Sequence, residues 1–145
     1  MKNFKIVSIN IADKKGEKKI PIPEAVLKEN FGIEGDAHGG VWHRQVSLLA
    51  REDVEEMIKK GAKVAYGDFA ENITTEGIDL ANLPIGTILN LGGAVLEVTQ
   101  IGKECHEHCA IFRQIGDCVM PRKGIFTRVI KGGKINNESN CYYDI

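Results

Sequence analysis

Apolar and β-branched residues occur along the chain in short runs separated by glycine, a pattern typical of β-strands joined by turns. Residues 4–11 form the first run and predict a strand. A charged segment, residues 13–19, follows and predicts a hairpin tip whose lysines, including Lys19, are solvated. Residues 46–49 and 124–131 predict two further strands.

Residues 88–101 carry the strongest hairpin signal. A Gly-Gly pair separates two strand-like runs, and two-residue turns of this composition join antiparallel strands. In the second run Ala94, Leu96 and Val98 recur with a period of two and share one face. This segment predicts a β-hairpin with an apolar side.

One helix is predicted over residues 51–60. Val54, Met57 and Ile58 recur at helical spacing, acidic residues occupy the first turn, and lysines precede Gly61. Because a predicted strand comes directly before it, we expect the helix to cover a sheet.

The number of short strands decides the fold class. A parallel sheet would need a helix in each crossover, and only one helix is predicted. We therefore predict a mainly β fold, a barrel with one or a few short helices, since closure removes exposed strand edges. The 145 residues contain no linker or repeat and predict a single domain, residues 1–145.

Charge and hydropathy exclude some classes of function. Nineteen Lys and Arg against twenty Asp and Glu give a net charge of −1, which provides no overall field for a nucleic acid. No apolar run approaches the ~20 residues of a membrane span, and the first residues lack the apolar core of a signal peptide. These features predict a cytoplasmic protein that binds neither nucleic acids nor membranes.

Two polar segments stand out, because the motifs of P-loop, dinucleotide-binding, zincin and serine hydrolase proteins are absent from the sequence. The first, residues 32–45, places two histidines, two carboxylates, an arginine and the only tryptophan among four glycines. If this segment is extended, Glu34, Asp36 and His38 project from one face toward a ligand or divalent metal. The alternative is a Gly-rich turn whose Asp and His bond nearby backbone.

The second segment, residues 102–109, contains Cys105 and Cys109. A spacing of four places both sulfurs on one face of either a helix or a strand. Neighbouring lysine and histidines favour the thiolate, whereas neighbouring glutamates oppose it. Three roles stay open: a functional thiol, a structural zinc site that adds Cys118 or a histidine, and inert burial. Cys141, near the end, is expected to have no role.

Taken in order, these segments resemble a MOSC domain, the module found at the C-terminal end of molybdenum cofactor sulfurases and as small stand-alone bacterial proteins. The resemblance covers nearly the whole chain, and its specificity comes from the ordered set of motifs. The segments that carry it are residues 32–38, 43–48, 67–73, 83–86, the Gly-Gly hairpin, the cysteine segment, and residues 124–129 with Gly132-Gly133.

The resemblance implies a β-barrel-like fold, binding of the molybdenum cofactor (molybdopterin), and a cysteine that carries sulfur as a persulfide or ligates molybdenum. By position this cysteine is Cys105, also the candidate metal ligand, with Cys109 second. Implied partners are the cofactor and either a persulfide donor, a cofactor-synthesis protein or a molybdoenzyme. A sulfurtransferase-like or molybdenum-dependent reductase activity stays open. The alternative is a zinc-binding or thiol-rich module without cofactor chemistry.

A phosphate-bearing pterin needs a pocket in which backbone N–H groups and local cations accompany a soft sulfur. Arginine suits the phosphate best, because it can donate two parallel hydrogen bonds. The candidate cofactor-binding residues, which combine such cations with the first polar segment, are Asp36, His38, His43, Arg44, Lys103, Arg113 and Arg128.

Overall fold

Strands make up most of the regular structure in this computed structural model, which describes residues 1–15, 17–102 and 123–144. In chain order the strands are β1 (Lys2–Ile11), β2 (Ile20–Ile22), β3 (Glu24–Lys28), β4 (Gly32–Ile33), β5 (Val46–Ala50), β6 (Ile73–Glu76), β7 (Ile88–Leu91), β8 (Ala94–Ile101), β9 (Ile125–Lys131), β10 (Gly133–Asn136) and β11 (Cys141–Tyr143). The helical elements are α1 (Arg51–Lys59) and a 3-10 turn (Leu80–Asn82).

Seven strands close into a barrel in the order β11-β7-β8-β9-β5-β6-β1, because β1 also pairs with β11. The first residues of β1, Lys2–Phe4, pair with β11, and the later ones pair with β6. A bulge between Ile6 and Ser8 interrupts the second pairing, and bulges bend and twist a strand in the way that closure requires. The predicted mainly β barrel is confirmed. A smaller sheet, β10-β3-β4, is separate.

Alternate residues of the barrel strands fill the core. In β8 Ala94, Leu96 and Val98 are buried in one apolar cluster that draws on most of the strands. The predicted hairpin is confirmed, with Leu91 opposite Ala94 across its turn. Gly92 has φ +62° there, a left-handed value that glycine adopts without strain.

Helix α1 covers one outer side of the barrel. It joins β5 to β6, which run parallel, and a parallel connection needs such a crossover. Val54 and Met57 are fully buried against Leu49 of β5 and Phe126 of β9. The helix predicted over residues 51–60 is confirmed and ends at Lys59. No helix within residues 1–15, 17–102 and 123–144 is long and apolar enough to cross a bilayer.

Candidate functional site

The polar segment that precedes β5 and the end of β8 form the candidate site. Four predicted site residues, Lys103, Cys105, Cys109 and Arg113, lie between residues 102 and 123, outside the described ranges. Cys118 of the zinc alternative lies there too. The roles assigned to this cysteine segment therefore stay predictions.

The segment after β4 turns, so the extended interpretation is wrong. The backbone N–H of Asp36 donates to the Ile33 carbonyl at 3.1 Å, and Gly35 has φ +88°, which an L side chain would strain. The turn separates the residues that an extended strand would align. Glu34 is exposed, 4.0 Å from Lys28, whereas Asp36 is buried.

Asp36 forms a buried ion pair with Lys19. The Lys19 Nζ atom lies 2.7 Å from Asp36 Oδ1, and the two side chains are 1% and 0% exposed. Asp36 also accepts from the backbone N–H groups of Ala12 at 3.1 Å and His38 at 3.2 Å. The solvated position predicted for Lys19 is therefore wrong. The last lysine of the charged segment turns inward, because it pairs with the buried Asp36 carboxylate.

His38 belongs to the same network. Its Nδ1 atom lies 3.0 Å from Lys19 Nζ. A charged lysine has donors and no acceptor, so His38 Nδ1 accepts and the ring proton resides on Nε2. The network brings together two predicted site residues, Asp36 and His38, with a lysine that the sequence analysis assigned to solvent.

A glycine turn near residue 67 explains how the Lys19 backbone is held. Lys19 N–H donates to the Gly67 carbonyl at 3.0 Å, and a Cβ at position 67 would collide with the Lys19 carbonyl. The Gly67 N–H in turn donates to the buried Glu71 carboxylate at 3.1 Å. Residues 67–73 are one of the segments that carry the family resemblance, and they thus hold the backbone of the lysine in the ion pair.

Glu71 is fully buried, and its second carboxylate oxygen accepts from the Thr74 hydroxyl at 3.0 Å. Burial raises the pKa of this carboxyl above its ordinary value, and the hydrogen bonds from Gly67 and Thr74 oppose that rise. Burial is the larger effect. The native fold therefore favours the protonated form of Glu71 more than the unfolded chain does.

His43 and Arg44 converge on Gln100 at the end of β8. His43 Nε2 lies 2.9 Å from Gln100 Oε1, and Arg44 Nε donates to the same oxygen at 3.1 Å. The Thr99 hydroxyl lies within hydrogen-bond distance of the His43 and Phe126 carbonyl oxygens. The Arg44 guanidinium carbon is 4.9 Å from the centre of the Phe126 ring, a favourable cation–π distance.

Trp42 connects these two groups. Its indole Nε1–H donates to the His38 carbonyl at 2.8 Å. Its ring meets the His43 ring edge-on, with 6.2 Å between ring centres. The contacts therefore run without interruption from the buried ion pair to the pair of basic residues.

Gly102, which forms the base of the cysteine segment, is bonded to Gln100. Gln100 Nε2 donates to the Gly102 carbonyl at 2.8 Å. Gly102 N–H donates to the Gly124 carbonyl at 2.6 Å, so the two ends of the stretch that holds residues 103–122 are joined by a hydrogen bond. His43 and Arg44 are joined to Gly102 through the side chain of Gln100.

Arg128 and Cys141 take no part in the contacts described above. Arg128 extends from β9 to donate to Glu97 Oε1 at 2.7 Å, so a carboxylate already compensates its charge. Cys141 is buried in the barrel core, and burial raises the pKa of its thiol to about 11. Within the described ranges no three His, Cys, Asp or Glu side chains cluster as a metal site.

Sequence reasoning missed two residues of this site, Lys19 and Gln100. Lys19 resembles its exposed neighbours in a charged run, and only the position of Asp36 distinguishes it. Gln100 is the penultimate residue of β8, whose earlier residues alternate, and a bulge between Val98 and Gln100 changes that register. No local pattern in one sequence marks either residue.

Comparisons with known proteins identify the family and agree with the fold. The family model of the MOSC domain matches residues 34–141. YuaD from Bacillus subtilis is similar in structure, with a TM-score of 0.80 and 19% identity over 96% of this chain and 94% of that one. YiiM from Geobacillus stearothermophilus gives 0.72 and 21% over 98% and 75%. YiiM from Escherichia coli gives 0.66 and 20% over 100% and 70%. Curated protein sequences give no significant match.

Proposed function

Because the chain belongs to the MOSC domain family, we propose that it binds the molybdenum cofactor at the end of the barrel that carries His43, Arg44 and Gln100. MOSC domains are in general associated with this cofactor. One observation carries the location. Among the arginines of the described ranges, Arg51 and Arg128 pair with carboxylates and Arg44 does not.

Arg44 fits the phosphate end of such a ligand. Its Nε–H is engaged by Gln100 and one face contacts Phe126, which leaves the two Nη groups as donors. A guanidinium can present such a pair of N–H groups to two oxygens of one phosphate. The exposed His43 ring is bonded to the same Gln100 oxygen and lies beside Arg44.

The cysteine segment fits the metal end, because molybdenum favours a soft thiolate. Cys105 is three residues after Gly102 in the sequence. A chain spans at most about 3.6 Å per residue, so the two Cα atoms are within about 11 Å of each other. We therefore assign the metal ligand or sulfur carrier to Cys105 first and to Cys109 second.

As a sulfur carrier, the thiolate attacks the outer sulfur of a persulfide donor. The S–S bond of the donor breaks, its inner sulfur leaves as a thiolate, and a new S–S bond forms on this chain. As a metal ligand, the same thiolate would hold molybdenum. The bound metal supplies redox chemistry, and the protein supplies orientation and charge.

The ion pair of Lys19 and Asp36 has a supporting role in this proposal. It is sealed from solvent and electrically balanced, so it does not attract an anion over distance. It fixes the turn that ends in Trp42, His43 and Arg44. A rigid loop loses little conformational entropy when it binds a ligand.

The test is to load the protein with molybdenum cofactor under anaerobic conditions, remove unbound ligand, and measure metal by elemental analysis and pterin by fluorescence after oxidation. We expect molybdenum and pterin in equal, stoichiometric amounts. Stoichiometric zinc without pterin after the same loading would overturn the proposal and indicate the zinc-binding module. Loading precedes the measurement so that cofactor lost during purification does not count against binding.

A further inference from the structure

Gln100 uses all of its side-chain polar atoms at the junction between the basic residues and the cysteine segment. Its Oε1 atom contacts His43 Nε2 at 2.9 Å and Arg44 Nε at 3.1 Å. Its Nε2 atom donates to the Gly102 carbonyl at 2.8 Å. One half-buried amide therefore binds three backbone or side-chain groups that come from two separate segments.

The identity of its partners fixes how this amide is oriented. Arg44 Nε is a donor only, so the Gln100 atom that faces it is the carbonyl oxygen. That oxygen has no hydrogen to offer, and His43 must therefore donate to it through Nε2. The opposite ring nitrogen of His43, Nδ1, points away from Gln100.

Two contacts restrain the Arg44 guanidinium. The hydrogen bond to Gln100 holds its Nε, and the Phe126 ring supports its flat face. A free arginine side chain samples many rotamers and loses that freedom on binding a ligand, whereas a restrained one has already lost it. The restraint therefore favours anion binding without adding any contact to the anion.

We propose that Gln100 is a positioning residue, which aims Arg44 at the anionic end of the ligand, keeps the His43 ring beside it, and ties both to Gly102 at the base of the cysteine segment. The inference rests on the proposed function for the identity of that ligand. The Gly102 N–H donates to the Gly124 carbonyl at 2.6 Å, so the residue whose carbonyl receives the Gln100 amide is itself held in place. The separation of Arg44 and His43 from Gly102 is thereby set by the side chain of Gln100.

Inorganic phosphate is the probe for the experiment, because it isolates the anionic end of the ligand. The wild-type protein is compared with Gln100→Met, which keeps the shape and lacks the polar atoms. Asn90→Leu is the matched control, since it also replaces a half-buried amide, on strand β7 opposite Val95 of β8, and leaves the charges of the protein unchanged. Phosphate affinity is measured by NMR titration, together with hydrogen exchange of the Arg44 Nε–H and the melting temperature.

We expect Gln100→Met to weaken phosphate binding roughly fivefold and to speed exchange of the Arg44 Nε–H, with Asn90→Leu behaving as wild type in both. Equal phosphate affinity in wild type and Gln100→Met would overturn the positioning role and leave the proposed function standing. No phosphate binding by the wild type would instead contradict the anion site itself. A loss of affinity accompanied by a large drop in melting temperature would show that Gln100 acts through the fold, against the inference.

Discussion

The ammonium group of Lys19 and the carboxylate of Asp36 meet at 2.7 Å inside the protein, with 1% and 0% of their side chains exposed. Such a pair adds little net stability, because removing both charges from water costs about as much as their attraction returns. Its effect is on conformation. Asp36 ends a turn, His38 follows it, and both are held by the same lysine.

Replacing Lys19 tests this arrangement. Lys19→Met leaves the Asp36 charge buried without a partner and should lower the free energy of unfolding by about 3–5 kcal/mol. Lys18→Met is the control, because Lys18 is exposed and lies 4.0 Å from Asp68, a pair worth at most about 1 kcal/mol. Denaturant unfolding measures both. Adding Asp36→Asn to Lys19→Met should restore much of the lost stability. Equal stability of Lys19→Met and Lys18→Met would contradict this account.

Glu71 predicts a pH dependence of stability. Its pKa is raised in the native state by burial, so the native protein retains a proton that the unfolded chain releases above pH ~4.3. The free energy of unfolding should therefore fall as pH rises from there through the raised pKa. Glu71→Gln lacks this proton, so its stability relative to wild type should improve over that interval. If the free energy of unfolding of wild type and of Glu71→Gln changes with pH in parallel, the prediction is contradicted. Glu29→Gln, at an exposed site, is the control.

The cysteines should differ in reactivity. The raised pKa of Cys141, about 11 against 9.0, lowers its thiolate fraction at pH 8 about a hundredfold, so it should resist alkylation in the native protein. Under the proposal, Cys105→Ser or Cys109→Ser removes persulfide formation or metal retention with little change in melting temperature. Mass spectrometry of the intact, anaerobic protein measures the added sulfur or metal. Cys141→Ser should keep persulfide formation and metal retention. Loss of either in Cys141→Ser, with both kept in Cys105→Ser and Cys109→Ser, would contradict the proposal.

The sequence predicted those elements whose pattern is local. The first strand, the hairpin around Gly92, and the helix with Val54 and Met57 on its buried face all depend on spacing within one segment. Closure of the barrel was also predictable in kind, since many short strands leave edges that closure removes. The pairing of β1 with both β6 and β11 was not, because register across the chain has no local signal.

The site was only partly predictable for the same physical reason. Asp36, His38, His43 and Arg44 were named because they are dense in one segment. The partners that give them direction, Lys19 and Gln100, are distant in sequence, at 17 and 56 residues from Asp36 and Arg44. The alignment of Glu34 with Asp36 failed because a glycine with positive φ lies between them.

The most direct test compares Arg44→Gln with Arg128→Gln after anaerobic loading with molybdenum cofactor and gel filtration. The account predicts that wild type and Arg128→Gln retain stoichiometric molybdenum and pterin. Arg44→Gln should bind the cofactor about 10- to 100-fold more weakly, because a charge-assisted hydrogen bond contributes about 1.5–3 kcal/mol, and its melting temperature should not change. Retention by Arg44→Gln equal to wild type, or an equal loss in Arg128→Gln, would contradict the location of the site.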